Sequence, residues 1–323
     1  MKLKVPLPRD AFDVAMDDGA IFHMRCYGDS DADVRLFISH GNGFAVDGYF
    51  PFWNSLADRF ELIVFDFRNH GRNARSDPAN HHYDQMARDV GTIHSEVTGK
   101  LSKKKNVGVF HSMSSRAAMK HAVEIEWLWD ALILFDPPNV PPPGHRVYNL
   151  METFEHRLAD WALSRTDRYS GPAELAADYM STRAHSTWVE GAHELMARAV
   201  LFEDQEGGDW RLKCPRELES SIYLAAMTMD LWPNHDAFGG PVKLIAADPE
   251  ARRAPHASHE ASTTLAKPFV KPITLAATLA GGFSRGNLRT SPSSDQAPIN
   301  ASSSFEPSAT TFRPTVPPAP RMT

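Results

Sequence analysis

The sequence predicts an α/β protein built on a doubly wound, mostly parallel sheet. Four short apolar runs are typical of strands that are buried on both faces, namely Val34–Ser39, Glu61–Phe67, Asn106–His111 and Ala131–Phe135. Helical patterns lie between the later runs, at residues 48–58, 83–99 and 114–126. This alternation of strand and helix predicts right-handed crossovers between parallel strands.

Two further segments extend the predicted sheet. Phe12–Met16 and Ala20–Tyr27, joined by Asp17-Asp18-Gly19, are predicted to form an opening antiparallel hairpin. Val242–Ala247 follows a Gly-Gly-Pro sequence and is predicted to be a fifth buried strand.

A helical insertion is predicted within the α/β domain, which we assign to residues 1–250. Prolines after Asp136 end the alternation, and residues 145–232 then show an amphipathic helical pattern that no strand-like run interrupts. We expect this insertion to act as a cap over the carboxyl ends of the strands. The alternative is a separate helical subdomain without that role.

The composition of the chain changes near residue 250. All seven Trp and all seven Tyr lie before Asp248. Residues 251–323 contain ten of the 24 prolines and carry a net charge of +5, so the remainder carries −11. Such a segment cannot bury enough apolar surface to offset its ordering entropy, and we predict that residues 251–323 form a disordered tail.

Bulk properties argue against several classes of partner. The chain has 323 residues, of which 42% are hydrophobic, and its net charge of −6 does not favour nucleic acid or an anionic membrane. Cys26 and Cys214 give neither a disulfide framework nor metal-ligand spacing. The first residues lack the apolar region of a secretory signal. We expect a cytoplasmic protein without metal or cofactor.

Ser112 lies where a buried strand runs directly into a predicted helix. Residues 106–119 begin as an apolar run, pass through small residues and continue as a helical start. At such a corner the serine hydroxyl is pushed out of the sheet, where a substrate can reach it. We therefore predict that Ser112 is a catalytic nucleophile, which needs a base for its proton and donors for the oxyanion.

A glycine-rich turn after the first buried strand supplies the predicted oxyanion hole. It is His40-Gly41-Asn42-Gly43-Phe44, and its two glycines allow a tight backbone with a free N–H group. The N–H groups of Asn42 and of Met113, directly after the predicted nucleophile, would bind the oxyanion together. A plain glycine turn is the alternative interpretation.

Two aspartates are candidates for the acid that orients the base. Asp248 follows the run Val242–Ala247, and Asp136 follows the run Ala131–Phe135. Each is followed by proline, so the alternative is that each simply begins a turn. We prefer Asp248 and keep Asp136 as the alternative.

In combination these motifs resemble the α/β-hydrolase superfamily over roughly residues 10–250. The resemblance is carried by His40-Gly41-Asn42-Gly43, the run Val64–Arg72, the corner His111-Ser112-Met113 and the pair Asp136-Pro137. It implies the α/β-hydrolase fold with a helical cap, and the same nucleophile, oxyanion hole and acid candidates. Serine at the corner argues against the epoxide-hydrolase and haloalkane-dehalogenase branches.

The sequence departs from the family pattern at three points. Phe110 and Ser114 replace a small residue and a glycine at the corner. The family base is a histidine after a last helix and strand, whereas His256 and His259 lie only 8 and 11 positions after Asp248. That interval is too short for such a unit, so the resemblance leaves the catalytic histidine unassigned.

We therefore predict a serine hydrolase that cleaves a carboxylic ester or related small-molecule acyl substrate through an acyl-enzyme on Ser112. The alternative is a catalytically impaired hydrolase-fold protein with a binding role or none. In that case we interpret the segment after residue 250 as translated outside the ancestral reading frame. The absent histidine, the charge change and the loss of Trp and Tyr motivate this hypothesis.

Overall fold

A computed structural model describes residues 3–182, 184–233 and 235–246, which form ten strands and seven α-helices. The strands are β1 (Asp10–Ala15), β2 (Ile21–Gly28), β3 (Val34–Ile38), β4 (Glu61–Val64), β5 (Lys105–His111), β6 (Ala131–Phe135), β7 (Arg168–Tyr169), β8 (Leu201–Glu203), β9 (Trp210–Leu212) and β10 (Val242–Ile245). The helices are α1 (Phe50–Asn54), α2 (Tyr83–Lys100), α3 (Met113–Glu124), α4 (Tyr148–Ser164), α5 (Pro172–Ser181), α6 (Ala192–Val200) and α7 (Arg216–Thr228). Short 3-10 helices lie at Val46–Tyr49, Pro78–Asn80 and His235–Ala237.

Seven strands form one sheet in the order β1-β2-β4-β3-β5-β6-β10. The hairpin β1–β2 and the pair β2–β4 are antiparallel, whereas the pairs from β4 to β10 are parallel. From β3 the chain first adds β4 on one side and then β5, β6 and β10 on the other. The predicted doubly wound, mostly parallel α/β sheet and its opening hairpin are therefore confirmed.

Strands β3 to β6 are largely buried because helices pack against the sheet. One hydrophobic cluster joins Phe37 of β3, Phe110 of β5 and Ile93 of α2 with Trp129, which precedes β6. The Trp129 ring meets the Phe37 and Phe110 rings edge-on, at centroid distances of 5.2 and 5.6 Å. This burial on both faces explains why the strands appear in the sequence as continuous apolar runs.

The prediction of a fifth buried strand at Val242–Ala247 is wrong about burial, because β10 comes last in the described strand order and its Lys243 and Leu244 are exposed, Leu244 by 58%.

The strand predicted at Glu61–Phe67 is shorter in the structure and ends at Val64. Asp66 explains the early end, because its carboxylate accepts the Val46 N–H at 2.7 Å and the Arg72 N–H at 3.1 Å. These bonds draw the chain out of the sheet into a turn.

Residues 145–232 contain the helices α4 to α7 and also three short strands. The prediction that no strand interrupts this segment is wrong, since β7, β9 and β8 form a small antiparallel sheet. Each strand has only two or three residues, too few to show the alternation by which strands are recognised. Tyr169, Leu201 and Leu212 of this sheet pack in one buried cluster with Tyr179 of α5.

The predicted disordered tail, residues 251–323, lies outside the described residues. Among the residues that the structure does describe, no helix is both long enough and apolar enough to cross a bilayer.

Arg68, in the turn after β4, forms a buried bidentate ion pair with Asp89 of α2. Its Nε and Nη2 atoms lie 2.8 and 2.7 Å from the two carboxylate oxygens of Asp89, and both residues are 0% exposed. Burial raises the pKa of Asp89, and the Arg68 guanidinium opposes that rise. The pair fixes the turn against α2.

Replacing Arg68 by methionine should destabilise the protein far more than the same change at Arg88. Arg68→Met leaves the Asp89 carboxylate buried without its partner, so we expect the free energy of unfolding to fall by ~3–5 kcal/mol. Arg88 pairs with Asp17 at the surface, where the side chains are 47% and 52% exposed. Arg88→Met should therefore cost ~1 kcal/mol or less. Urea denaturation measures both, and equal losses would contradict the role given to Arg68.

Candidate active site

Ser112 lies between the last residue of β5 and the first residue of α3, as the sequence predicts. Its backbone has φ 50° and ψ −109°, a conformation that residues with a Cβ rarely adopt. The Ser112 N–H donates to the Phe135 carbonyl of β6 at 2.9 Å, and the Ser112 carbonyl accepts the Arg116 N–H at 3.0 Å. These bonds hold the sharp turn from strand to helix.

The Ser112 hydroxyl is not used by the fold. It does not cap α3, and it forms no hydrogen bond with any residue in the described part of the chain. The residue is partly exposed. No residue in the described ranges therefore engages this oxygen in a hydrogen bond.

The two departures from the family pattern at this corner both fit the structure. The Ser114 hydroxyl accepts the His111 N–H and donates to the His111 carbonyl, each at 3.0 Å, and so adds a tie across the turn. The Phe110 ring packs edge-on against Trp129. The ring fits because Gly108 has no side chain. A Cβ at Gly108 would lie 2.5 Å from the Phe110 ring.

The glycine turn, Gly41–Phe44, follows β3 and approaches Ser112 closely. The Phe44 N–H donates to the Gly41 carbonyl at 3.1 Å, and Gly43 has φ 70°, in the left-handed region that favours glycine. A Cβ at Gly41 would lie 3.3 Å from the Ser112 Cβ and 2.7 Å from His111 Nδ1. Glycine at this position therefore permits the close approach.

Two of the three consecutive N–H groups in the glycine turn have side-chain acceptors. The Gly41 N–H donates to the Tyr49 hydroxyl at 3.2 Å, and the Gly43 N–H donates to His70 Nε2 at 3.1 Å. The Asn42 N–H between them has no acceptor among the residues described. The sequence analysis predicts this same N–H group as a hydrogen-bond donor to an oxyanion.

Met113 provides a second free N–H group. It is the first residue of α3, where N–H groups have no partner within the helix, and no other described group accepts its hydrogen. Met113 directly follows Ser112, and Asn42 directly follows the glycine that contacts Ser112. Donors in this arrangement can stabilise negative charge on a substrate bonded to the serine.

Two buried histidines support the glycine turn. His70 Nδ1 donates to the Arg68 carbonyl at 2.8 Å, which leaves Nε2 as the acceptor for Gly43. His40 Nε2 accepts the Phe67 N–H at 3.1 Å. Burial lowers the pKa of His40 and holds that of His70 well below its ordinary value, so both rings are neutral at pH 7.

Helix α7 contacts the same turn through Glu219, a residue that the sequence analysis did not single out. The Asn42 side-chain amide donates to the Glu219 carbonyl at 2.7 Å, and a Cβ at Gly43 would lie 2.3 Å from Glu219 Oε1. The Glu219 carboxylate lies 2.9 Å from Arg165 Nη1. Burial raises the pKa of Glu219, and Arg165 opposes that rise.

Tyr49 is a further side chain that sequence reasoning missed. Its hydroxyl lies 2.7 Å from His111 Nδ1. Burial lowers the pKa of His111 to about 4, against the opposite effect of the Asp136 carboxylate. His111 is therefore neutral at pH 7. No sequence pattern marks Tyr49, because its contact depends on how the short helix Val46–Tyr49 folds back.

Asp136, the alternative acid, directly follows β6. Its backbone has φ 45°, and its N–H donates to the Ile245 carbonyl of β10 at 2.7 Å. The carboxylate is close enough to influence His111.

The preferred acid, Asp248, lies outside the described residues, as do His256 and His259. No histidine that the structure describes forms a hydrogen bond with the Ser112 hydroxyl. Within the described ranges, no group of three or more His, Cys, Asp or Glu side chains could hold a metal ion.

Replacing Ser112 tests the backbone strain separately from the chemistry. We expect Ser112→Gly to be more stable than Ser112→Ala by ~1 kcal/mol, because alanine keeps a strain of ~1–3 kcal/mol that glycine avoids. The exposed helical residue Ser95 is the control, where alanine should be more stable than glycine by ~1 kcal/mol. Urea denaturation of the four variants gives both differences. The same order at both positions would contradict the strained turn.

Several solved structures have a similar fold. An alpha/beta hydrolase from Novosphingobium aromaticivorans DSM 12444 is 13% identical, covering 77% of this chain and 97% of that chain, with a TM-score of 0.54. A hydrolase from Pseudomonas aeruginosa PA01 is 16% identical, covering 74% and 80%, with a TM-score of 0.53. The enol-lactonase from Burkholderia xenovorans LB400 is 19% identical, covering 83% and 100%, with a TM-score of 0.51.

Sequence comparison identifies the family. No curated protein matches the sequence. The sequence model of the Alpha/beta hydrolase family matches residues 36–278, which is 243 of the 323 residues and includes the end of β3, the glycine turn and the corner at Ser112. With the sheet order and this match, the chain belongs to the alpha/beta hydrolase family.

Proposed function

We propose that this protein is a serine hydrolase that cleaves a carboxylic ester or a related small-molecule acyl substrate. The observation that carries the proposal is the pair of free N–H groups, on Asn42 and Met113, beside a serine hydroxyl that the described fold does not use. Membership of the family supports hydrolysis in general. The choice of an acyl substrate rests on the serine and its donors.

The proposed reaction has two stages. Ser112 Oγ attacks the carbonyl carbon, its proton passes to a base, and the carbonyl electron pair moves onto oxygen, where the N–H groups of Asn42 and Met113 stabilise it. The intermediate collapses to an acyl-enzyme, and the leaving alcohol takes the proton from the base. Water then attacks the acyl carbon and gives a proton to the base, and the bond to Ser112 Oγ breaks as the base returns that proton to it and the acid product leaves.

The base is unassigned, and His256 and His259 are the two histidines after Asp248, although their interval is shorter than the family's last helix and strand need. Both follow the preferred acid, Asp248, and both lie within residues 36–278, the range that the family match covers. A general base contributes ~10²–10⁴-fold to such a reaction, so its removal has a large and measurable effect.

The second candidate function is a hydrolase-fold protein that binds an acyl ligand without turning it over. One observation favours it, namely that no described histidine contacts the Ser112 hydroxyl. The two candidates differ in what they predict for covalent labelling of the serine.

A fluorophosphonate probe should label Ser112 in the full-length protein. We expect one adduct by intact mass, located by peptide mass spectrometry, and loss of labelling in Ser112→Ala. Ser95→Ala, in an exposed serine of α2, is the control and should label like the wild type. Absence of an adduct in well-folded wild-type protein would contradict the serine hydrolase and favour the binding protein.

Hydrolysis of p-nitrophenyl acetate should then identify the base. The alanine variant of the histidine that serves as base should lower kcat by ~10²–10⁴-fold, and the variant of the other histidine should change kcat less than ~3-fold. Burst kinetics would separate acylation of Ser112 from release of the acid. Unchanged kcat in both His256→Ala and His259→Ala would rule out both as the base.

A further inference from the structure

We propose that Tyr49 is a positioning residue that holds the two halves of the oxyanion hole at a fixed separation. This inference rests on the proposed function, since it concerns the donors of that reaction. The donors belong to different elements, because Asn42 lies in the turn after β3 and Met113 begins α3. Asn42 and Met113 lie 71 positions apart in the sequence, so the covalent chain alone does not set the distance between them.

The Tyr49 hydroxyl joins these two elements directly. It accepts the N–H of Gly41, one residue before Asn42, at 3.2 Å. It also lies 2.7 Å from Nδ1 of His111, two residues before Met113. Among the described residues, Tyr49 is the side chain that hydrogen-bonds both to the glycine turn and to the corner.

The protonation states of Tyr49 and His111 are compatible with a Tyr49 hydroxyl that bridges both groups. Burial raises the pKa of the Tyr49 phenol, so the hydroxyl keeps its proton at pH 7. Burial lowers the pKa of His111 to about 4, so Nδ1 of the neutral ring is free to accept. The Tyr49 oxygen accepts from Gly41, and in the Nε2–H tautomer of the neutral His111 ring the Tyr49 hydroxyl donates to Nδ1.

Other contacts hold the glycine turn from different sides. His70 accepts the Gly43 N–H at 3.1 Å, and Glu219 accepts the side-chain amide of Asn42 at 2.7 Å. Neither His70 nor Glu219 hydrogen-bonds to the corner residues. Loss of the Tyr49 hydroxyl would leave the turn folded but free to shift relative to Met113.

The test compares Tyr49→Phe with Tyr27→Phe in the full-length protein. Tyr27 is buried, at 5% exposed, whereas Tyr49 is half-buried, and the Tyr27 hydroxyl donates to the Pro6 carbonyl at 3.2 Å, on the hairpin. Each variant loses one hydroxyl that is hydrogen-bonded to the backbone. Hydrolysis of p-nitrophenyl acetate gives kcat and KM, and phenylboronic acid serves as a transition-state analogue.

We expect Tyr49→Phe to lower kcat by ~10–100-fold, because complete loss of one oxyanion donor costs ~10²–10³-fold. KM should change less than ~3-fold, and the inhibition constant of phenylboronic acid should rise in proportion to the loss of kcat. Tyr27→Phe should leave kcat and this inhibition constant within ~2-fold of the wild type. A role in folding alone would lower thermal stability without changing the inhibition constant of folded protein.

A second variant keeps the inference testable if Tyr49→Phe folds poorly. His111→Phe removes the other end of the bridge and should lower kcat by a similar factor. The kcat of the double variant should be close to that of either single variant, because each single substitution already removes the hydrogen bond between Tyr49 and His111. Fully multiplicative losses, or a kcat of Tyr49→Phe equal to that of Tyr27→Phe, would overturn the inference. Wild-type protein that neither hydrolyses the ester nor forms the Ser112 adduct would instead overturn the proposed function, and this inference with it.

Discussion

The arrangement of the site depends on one backbone constraint, the turn at Ser112 from β5 directly into α3. A residue with a Cβ stays at φ 50° only when its surroundings hold it there. The Phe135 carbonyl of β6 and the Ser114 hydroxyl provide that restraint. β5 lies between β3 and β6, so the glycine turn after β3 and the anchor from β6 reach the serine from opposite sides. Three parallel strands that end at one sheet edge thus supply the proposed nucleophile, its anchor and a proposed oxyanion donor.

The groups around this turn are neutral or paired. Burial keeps His40, His70 and His111 uncharged at pH 7, and the Glu219 carboxylate is matched by Arg165. The free donors beside Ser112 are backbone N–H dipoles, whose direction is fixed by the fold. Such preorganised dipoles stabilise charge that develops during reaction without reorganising when it appears. The buried polar contacts therefore hold the backbone that carries the two N–H groups proposed as oxyanion donors.

The sequence predicted the sheet, the corner and the free donors because each depends on local patterns. Buried parallel strands give continuous apolar runs, and the strand-to-helix corner gives a small residue at a fixed place. Tyr49 and Glu219 were missed because their contacts join residues 62 and 177 positions apart. The short strands β7 to β9 were missed because two or three residues show no alternation. Phe110 departs from the family pattern in sequence, but the space that Gly108 leaves for its ring is visible only in the folded structure.

The most direct test is a crystal structure of the protein after phosphonylation by a fluorophosphonate. If the corner and the glycine turn form the site, phosphorus is bonded to Ser112 Oγ. One phosphonyl oxygen then lies about 2.7–3.1 Å from the backbone nitrogens of both Asn42 and Met113. An adduct on another residue, or a phosphonyl oxygen bound by neither N–H group, would contradict this assignment of the nucleophile and its oxyanion hole.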